Sequence, residues 1–268
     1  MSLTDRWIWI TGASSGLGLA LTETLLNRGN RLIVTARSRD KLEELSAQNP
    51  DNLWIVSSDI SNPQCSHDLQ KRLAEITPVI DTVILNAGNC EYIDVDKFDI
   101  DAVERVTQVN YLGFVRCVYA ALPLLLNSRK SPHLVGISSA SAYFGLPRAE
   151  AYGSSKAAVS HFLDSLRIDL QHKGVFVSTV YPGFVDTPLT RKNDFPMPGI
   201  ISTDKAVKLI LSGMEKMRYQ ISFPFLLIAS LKLLDFLPYS LSTRLVQRLV
   251  RKNSIETEVE KNRENNLS

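Results

Sequence analysis

The sequence predicts an α/β protein built on a doubly wound parallel sheet, and three observations lead to that class. The chain has 268 residues, a length at which a single α/β domain is common. Short apolar runs such as Trp7 to Thr11 are nearly continuous, as expected of strands covered on both faces. Helical patterns alternate with these runs, which implies right-handed crossovers and parallel strands. We expect one domain, with the α/β unit over 1–224 and a helical extension over 225–268.

Composition and charge narrow the function classes. The chain is 44% hydrophobic and 22% charged, and its formal net charge of +2 is too small to indicate nucleic acid as the partner. Cys65, Cys90 and Cys117 are odd in number and lack metal-ligand spacing, which favours a reducing compartment and predicts no metal site. The sequence shows no signal-peptide pattern and no stretch of ~18 apolar residues that would span a membrane. The expected location is therefore the cytoplasm.

The first strand leads directly into a glycine-rich segment. This segment, TGASSGLG, has glycines at positions 12, 16 and 18 and is followed by the helical pattern LALTETLLNRG. Glycine permits a tight turn and lets a phosphate approach the amides at a helix N-terminus, where the helix dipole favours an anion. Such a segment can also be an ordinary turn, but the strand before it and the helix after it favour a phosphate site.

The second strand, RLIVTA, ends at Ala36 and is followed by Arg37 and Arg39. An acidic residue at this position would bind the ribose 2′-hydroxyl of NAD, whereas an arginine suits the 2′-phosphate of NADP. The alternative is that Arg37 is a solvated loop residue. The sequence predicts that NADP(H) is preferred, and NAD(H) remains an alternative.

The third and fourth strands end in polar residues. The third, Leu53 to Ile60, ends at Asp59, a predicted neighbour of an adenine ring. The fourth, Asp81 to Gly88, runs into Asn86-Ala87-Gly88, where a small turn would let the chain pass close to a ribose. Asn-Ala-Gly is equally compatible with an ordinary strand exit.

Helical patterns occupy the intervals between these strands, at Asp40 to Gln48, Pro63 to Ile76 and about Asp99 to Asn127. The last of them contains Asn110. An asparagine inside a helix is mildly unfavourable because its side chain competes for backbone hydrogen bonds. A specific hydrogen-bonding role for Asn110 is therefore weighed against the simpler interpretation of a satisfied buried amide.

The stretch from Gly136 to Lys156 carries the strongest chemical signal. It follows the fifth strand, HLVGISS, and includes Ser139, Tyr152 and Lys156. Residues four apart on a helix share a face, so the phenol and the ammonium are expected to face one site. The ammonium is expected to lower the tyrosine pKa, which would allow proton transfer near neutral pH. Taken alone, such a pair is more often an amphipathic tyrosine beside a solvated lysine.

These signals fall at one edge of the predicted sheet. The sixth strand, Val175 to Gly183, ends in Pro182-Gly183, and Thr187 follows. Ligands of parallel sheets bind beyond the carboxyl ends of the strands. The residues at such ends are Gly12, Ala36, Asp59, Asn86, Ser139 and Pro182.

On these motifs the chain resembles the short-chain dehydrogenases/reductases. The matching segments, which cover roughly residues 6–223, are TGASSGLG, Asp59, Asn86 to Gly88, Asn110, Ser139, Tyr152 to Lys156 and Pro182 to Thr187. The resemblance implies a Rossmann fold of about seven strands, with Arg218 to Pro224 as the last. It also implies an NAD(P)-dependent oxidoreductase acting on a small-molecule carbonyl or alcohol, and we expect a homodimer or homotetramer.

The resemblance also implies roles for individual residues. Hydride would pass between nicotinamide C4 and a carbonyl carbon while Tyr152 exchanges a proton with the oxygen and Ser139 binds that oxygen. Lys156 would hold the ribose and lower the Tyr152 pKa, Asn110 would anchor a water, and Thr187 would help hold the nicotinamide amide. A nucleotide-sensing or scaffold protein that uses the same fold is the alternative, and the presence of Tyr152 and Lys156 argues against it.

Two sets of predicted contacts complete the site. The expected cofactor-binding residues are Gly12, Ser14, Ser15, Gly16, Leu17, Gly18, Arg37, Asp59, Ile60, Asn86, Ala87, Gly88, Tyr152, Lys156, Pro182, Gly183, Val185 and Thr187. The expected substrate-binding residues are Ser139, Tyr143, Tyr152, Phe184 and Leu189. The loop after Gly183 also contains Phe195 and Met197, which suggests an apolar lid and a hydrophobic substrate.

The C-terminal extension departs from the compact form of the family. Between Phe225 and Lys252 there are five basic residues and one acid, Asp235, and two amphipathic helices are predicted to meet at Pro238. These helices could pack on the core, contact a partner subunit or lie on the inner face of an anionic membrane. The polar tail 254–268 is expected to be disordered.

Overall fold

A computed structural model describes residues 1–38 and 40–247. The predictions for Arg39 and for the tail 254–268 lie outside the described residues. The main element is a seven-stranded, fully parallel sheet with the strand order β3-β2-β1-β4-β5-β6-β7. The strands are β1 Trp7–Thr11, β2 Arg31–Thr35, β3 Leu53–Ile55, β4 Thr82–Leu85, β5 His133–Ile137, β6 Phe176–Pro182 and β7 Gln220–Phe223. The doubly wound, Rossmann-type fold and its seven strands are confirmed.

Helices cover both faces of the sheet. They are α1 Gly16–Leu26, α2 Asp40–Gln48, α3 Cys65–Ile76, α4 Ile100–Thr107, α5 Phe114–Leu126, α6 Glu150–Gln171, α7 Thr203–Glu215 and α8 Phe225–Phe236. Apolar residues of α1, α2 and α7 pack on one face, and those of α3, α5 and α6 pack on the other. The core therefore has two layers, one on each side of the sheet.

Two predicted elements differ in extent from the observed ones. Strand β3 ends at Ile55 rather than at Ile60, although the amides of Val56 and Ser58 still donate to the carbonyls of Val34 and Ala36. The chain turns at Asp59, whose carboxylate accepts hydrogen bonds from the backbone and hydroxyl of Ser61. The long helical stretch is present, but a π-helical segment, Gln108–Gly113, joins α4 to α5 and contains Asn110. A π segment often marks a functional site, which fits the hydrogen-bonding role considered for this asparagine.

Among the described residues, one helical stretch, Ile100–Leu126, has the length and apolar composition of a membrane span. Half of its most apolar window is buried within the fold, and α5 packs against α3 and the core. This stretch is therefore a core helix.

Candidate active site

The glycine-rich segment brings the start of α1 against the ends of three strands. Gly12 has φ +69°, a conformation that favours glycine, and its amide donates to the Thr35 carbonyl at 2.8 Å. A Cβ on Gly18 would overlap the Gly12 carbonyl oxygen, so this close approach also requires glycine. Gly16 has φ +52°, and a Cβ there would lie 3.2 Å from Thr187. The segment thus joins β1 to the loop after β6.

The first turn of α1 is built to receive an anion. Ser15 is the N-cap residue, but its side chain makes no capping hydrogen bond, and the first turn contains no acidic residue. The amides of this turn therefore lack the partners that usually satisfy a helix N-terminus. Ser14, Gly16 and Leu17 line the same cleft. These features fit the pyrophosphate of a dinucleotide.

Arg37 and Asp59 both line the cleft, beyond the ends of β2 and β3. Arg37 is exposed, and Ala36 beside it is buried, so no carboxylate occupies the strand end. Burial of Asp59 acts to raise its pKa, but hydrogen bonds from Ser61 and the charge of Arg37 lower the pKa below its ordinary value. Asp59 is thus an anion near Arg37, and Ile60 lines the cleft beside it.

The Asn86-Ala87-Gly88 turn is attached to the glycine-rich segment. The Thr11 hydroxyl accepts hydrogen bonds from the amides of Asn86 and Ala87, at 3.1 and 3.2 Å, and Asn86 Nδ2 donates to the Gly12 carbonyl at 3.2 Å. A Cβ on Gly88 would lie 3.3 Å from Lys156 Nζ. The turn therefore contacts the glycine-rich segment on one side and Lys156 on the other. An ordinary strand exit would not need both contacts.

Tyr152 and Lys156 lie on the first turns of α6 and both line the cleft. Lys156 is buried, and its Nζ donates a hydrogen bond of 2.9 Å to the Ile137 carbonyl at the end of β5. The same atom lies 5.8 Å from the centre of the Tyr152 ring. Burial lowers the pKa of Lys156 to about 8, so the ammonium form still predominates at neutral pH.

The prediction that Lys156 lowers the Tyr152 pKa is wrong for the chain by itself. Burial is the largest cause and raises the pKa of Tyr152 to about 12; the ionised form of the nearby Cys90 acts in the same direction, and a hydrogen bond with Ser139 acts in the opposite one. The expectation overlooked desolvation, which disfavours the phenolate more strongly than the neighbouring groups favour it. Tyr152 is therefore a protonated phenol, a form suited to giving a proton.

Ser139 and Asn110 frame this pair. Ser139 is the N-cap residue of the short helix Ala140–Ala142, and its hydroxyl accepts hydrogen bonds from the Ser141 amide and hydroxyl. Asn110 Nδ2 donates to the Asn89 carbonyl at 2.8 Å and to the Ser155 hydroxyl at 3.0 Å, and Oδ1 accepts from the Asn89 amide at 2.7 Å. Asn110 thus fixes the chain just beyond Gly88, and its expected role in binding a water stays a prediction.

The end of β6 and the loop after it close one end of the cleft. Pro182, Gly183, Val185 and Thr187 all line it. The amide of Gly183 donates to the Phe223 carbonyl at 2.7 Å, so the neighbouring strand β7 holds this loop in place. The same cleft, of about 730 Å³, includes the glycine-rich segment, Arg37, Asn86 and Ser139.

The predicted substrate residues separate into two groups. Ser139, Tyr152 and Leu189 line the cleft. The structure does not place Tyr143 there: its ring stacks on Tyr181, with the centroids 4.6 Å apart, and its hydroxyl is buried. Sequence reasoning missed that Tyr143 lies beneath α8, because α8 is eighty residues further along the chain. Phe184 is also outside the cleft lining.

Three loops that are far apart in the sequence meet around Tyr92. The Tyr92 hydroxyl donates to Asn193 Oδ1 at 2.8 Å, and the Tyr92 ring meets Phe195 edge to face. Arg148 stacks on Tyr92 and pairs with Asp194 at 2.9 Å. Burial raises the pKa of both Tyr92 and the adjacent Cys90, so both are neutral. No local sequence signal joins these residues.

A seven-stranded parallel sheet of the Rossmann type, with Tyr152 and the buried Lys156 at its strand ends, is typical of dinucleotide-dependent oxidoreductases. The model of the short chain dehydrogenase family matches residues 6–196. The chain belongs to the short-chain dehydrogenase/reductase family, whose members transfer hydride between a nicotinamide dinucleotide and a carbonyl or alcohol.

Individual relatives agree with this assignment. An uncharacterized oxidoreductase of Myxococcus xanthus is 34% identical over 250 residues, which span 92% of this chain and 98% of that protein. A short chain dehydrogenase from Burkholderia cenocepacia in complex with NADP has a TM-score of 0.80 and 26% identity, over 92% of this chain and 99% of that one. A Burkholderia phymatum enzyme of the same family in complex with NAD has a TM-score of 0.77 and 20% identity, over 87% and 93% of the two chains.

Proposed function

We propose that the protein is an NADP(H)-dependent reductase that converts a hydrophobic carbonyl compound into an alcohol. The observation that carries this proposal is the protonated, half-buried Tyr152 beside the buried, charged Lys156. A phenol with a pKa of about 12 keeps its proton at neutral pH, which is the form that the reduction of a carbonyl requires. The direction itself is proposed from the cofactor, since a preference for NADP(H) favours reduction.

In the proposed reaction the glycine-rich segment, the Asn86-Ala87-Gly88 turn and the loop after β6 would hold a dinucleotide, which would supply the hydride for the carbonyl carbon. Ser139 donates a hydrogen bond to the carbonyl oxygen, which gains negative charge as the carbon is reduced. Tyr152 then gives its hydroxyl proton to that oxygen, which completes the alcohol and leaves a phenolate. The Lys156 ammonium stabilises the phenolate through its positive charge, and Asn110 holds the loop against which the lysine lies.

The preference for NADP(H) rests on Arg37. An exposed guanidinium after a strand that ends in alanine favours a 2′-phosphate, and no carboxylate is placed to accept the 2′-hydroxyl of NAD. The NADP bound to the Burkholderia cenocepacia enzyme agrees with this preference, while the NAD bound to the Burkholderia phymatum enzyme keeps NAD(H) as the alternative.

A bulky apolar substrate is proposed from the side of the cleft beyond Tyr152. Leu189 lines it, and the loop that carries Leu189 also contains Phe184 and Phe195, whose rings meet edge to face outside the cleft lining. We further propose a homodimer or homotetramer located in the cytoplasm. The exposed Tyr119 and Ile168, on α5 and α6, provide apolar surface for subunit contact.

The experiment is a titration of the purified chain with NADPH and with NADH, followed by nicotinamide fluorescence, and then a screen of aliphatic and aromatic ketones with the tighter-binding cofactor. We expect tighter NADPH binding and oxidation of NADPH by apolar ketones. Binding of neither cofactor would overturn the proposal, and binding without turnover of any ketone would favour a nucleotide-sensing protein.

A further inference from the structure

Helix α8 presents a continuous apolar stripe to solvent. With 100° between successive residues, five side chains fall within an arc of about 100°. These are Phe225, Leu226, Ala229, Leu233 and Phe236. All are exposed, and Phe225, Leu226 and Phe236 retain 80%, 81% and 87% of their accessible surface. Single exposed apolar residues are common, but an uninterrupted stripe of this kind indicates an interaction surface.

The opposite side of α8 fixes the stripe in its outward orientation. Ile228 and Leu231 are buried in a cluster with Ala140 and Tyr181. The Leu227 side chain fits against Gly183, where an added Cβ would lie only 2.6 Å from Leu227 Cδ2. The helix has therefore already used one apolar side for packing, and the stripe is a second one.

The next helix extends the exposed apolar surface. It begins at residue 239, after Pro238, and continues to the end of the described residues. Its Ser242 is buried, while Tyr239 is 80% exposed and Leu241 and Leu245 are also exposed. The predicted pair of helices meeting at Pro238 is thus present, and both helices expose apolar side chains.

Basic residues are concentrated in the same segment. From Phe225 to Lys252 the sequence contains Lys232, Arg244, Arg248, Arg251 and Lys252 against the single acid Asp235, although the whole chain carries a formal net charge of only +2. The last three of these basic residues lie outside the described residues, and Lys232 and Arg244 are both exposed. Lys232 lies on the flank of the stripe, with Nζ 4.8 Å from the centre of the Tyr143 ring. Apolar and basic side chains in one segment match the interface of an anionic bilayer.

We propose that α8 and the helix after it dock this protein on an anionic lipid surface. The stripe enters the boundary between headgroups and acyl chains, and the basic residues contact lipid phosphates. A second copy of the chain suits the surface less well, because a two-fold contact would bring the same basic segment against itself. Docking does not depend on the proposed reaction.

The position of α8 also links docking to the cleft. This link, unlike docking itself, rests on the proposed function. Its packed side touches Gly183, a residue of the cleft, and the segment around Tyr143. The end of the cleft that contains Gly183 therefore lies next to the docked helix. An apolar ketone dissolved in the bilayer would reach the cleft over a short path.

The test is flotation of the full chain with vesicles of phosphatidylcholine alone or mixed with phosphatidylglycerol, at low and high salt. We expect binding to the anionic vesicles only, weakened by salt. Leu226→Glu and Phe236→Glu should each weaken this binding about tenfold or more, since each removes one inserted apolar side chain. Val95→Glu, at a residue outside this segment that is also 73% exposed, is the matched control and should bind like the wild type.

Several results would overturn the proposal. These are absence of wild-type binding to anionic vesicles, equal binding to neutral vesicles, and unchanged binding of Leu226→Glu. The oligomeric state of each variant would be measured in parallel by native mass. If the wild type does not bind vesicles and Leu226→Glu has fewer subunits than the wild type, the stripe is a contact with a second copy of the chain. Each variant is also titrated with NADPH. A variant that binds NADPH like the wild type but no longer floats with vesicles is folded and has lost docking alone. Failure of the wild type to bind NADPH would concern the proposed function and not the docking.

Discussion

The Nζ atom of Lys156 donates a hydrogen bond of 2.9 Å to the backbone carbonyl of Ile137, the last residue of β5. This bond connects the first turns of α6 to the end of a central strand. It also gives the buried ammonium a partner, without which burial would disfavour its charge more strongly. The lysine is therefore positioned by the sheet, independently of any ligand.

Tyr152→Phe should abolish turnover while leaving NADPH binding nearly intact. Removing the proton donor is expected to lower kcat by a factor of about 10²–10⁴, the usual contribution of acid–base catalysis. Tyr143→Phe is the matched control, since the Tyr143 hydroxyl is buried away from the cleft. Steady-state kinetics and NADPH titration of both variants would check this. Equal losses in the two variants would contradict the role given to Tyr152.

Arg37→Asp should shift cofactor preference toward NADH. The change removes a cation beside the 2′-phosphate and adds an anion, so the NADPH/NADH ratio of kcat/KM is expected to fall about tenfold or more. Lys173→Asp, which replaces an exposed cation beyond the end of α6, should leave the ratio as it is. An unchanged ratio in Arg37→Asp would exclude the 2′-phosphate assignment.

The rate of carbonyl reduction should fall as the pH rises above about 8. Lys156 loses its charge there because burial has lowered its pKa to about 8, whereas Tyr152, with a pKa of about 12, remains a proton donor. Below that value the profile of kcat/KM should be flat, and above it the decline should approach about tenfold per pH unit. A rate that increases between pH 7 and 10 would contradict this assignment. In Lys156→Met, which has no titrating ammonium at this position, kcat/KM should not decline above pH 8.

Gly18→Ala should destabilise the protein and weaken NADPH binding. The added methyl would overlap the Gly12 carbonyl oxygen, and backbone cannot move aside as a flexible side chain could. A loss of about 1–3 kcal/mol in the free energy of unfolding is expected from such overpacking. Gly145→Ala is the control, because a methyl there meets no atom within 4 Å. Urea unfolding with and without NADPH measures both effects.

His133 should make the protein sensitive to acid. Burial lowers its pKa to about 3, with the charge of Arg6 acting in the same direction, while the unfolded chain titrates near 6.5. The unfolded state therefore binds more protons between these values, and stability is lost as the pH falls through them, by at most ~1.4 kcal/mol per pH unit. Urea unfolding at pH 7 and pH 5 measures this effect. The free energy of unfolding should fall less between the two pH values in His133→Gln than in the wild type. His172→Gln, at an exposed histidine, should behave like the wild type.

Most of the fold and the centre of the site were predictable because their signals are local. The strand WIWIT, the glycines after it and the four-residue spacing of Tyr152 and Lys156 each determine structure within one turn or one strand. Because the strands are parallel, their carboxyl ends lie at the same edge of the sheet, and the segments that follow them meet there. No long-range information was needed to predict that they meet.

The remaining features depend on partners that are distant in the sequence. Tyr92 contacts Asn193, and Arg148 contacts Asp194. The partners are far apart in the sequence, and no local sequence pattern marks any of the four residues as part of a pair. The raised pKa of Tyr152 follows from burial, and the position of Tyr143 follows from the packing of α8 above it. Such properties arise from tertiary packing, which periodicity and spacing do not encode.

The uncapped start of α1 makes the cofactor a component of the folded state. Because Ser15 makes no capping hydrogen bond, a dinucleotide phosphate would complete the first turn of the helix as a cap residue does elsewhere. A ligand that binds only the folded chain raises its stability with the logarithm of the ligand concentration. In a cell, the lifetime of this protein against proteases would then follow the supply of nicotinamide dinucleotide, so that abundance as well as activity responds to the metabolic state.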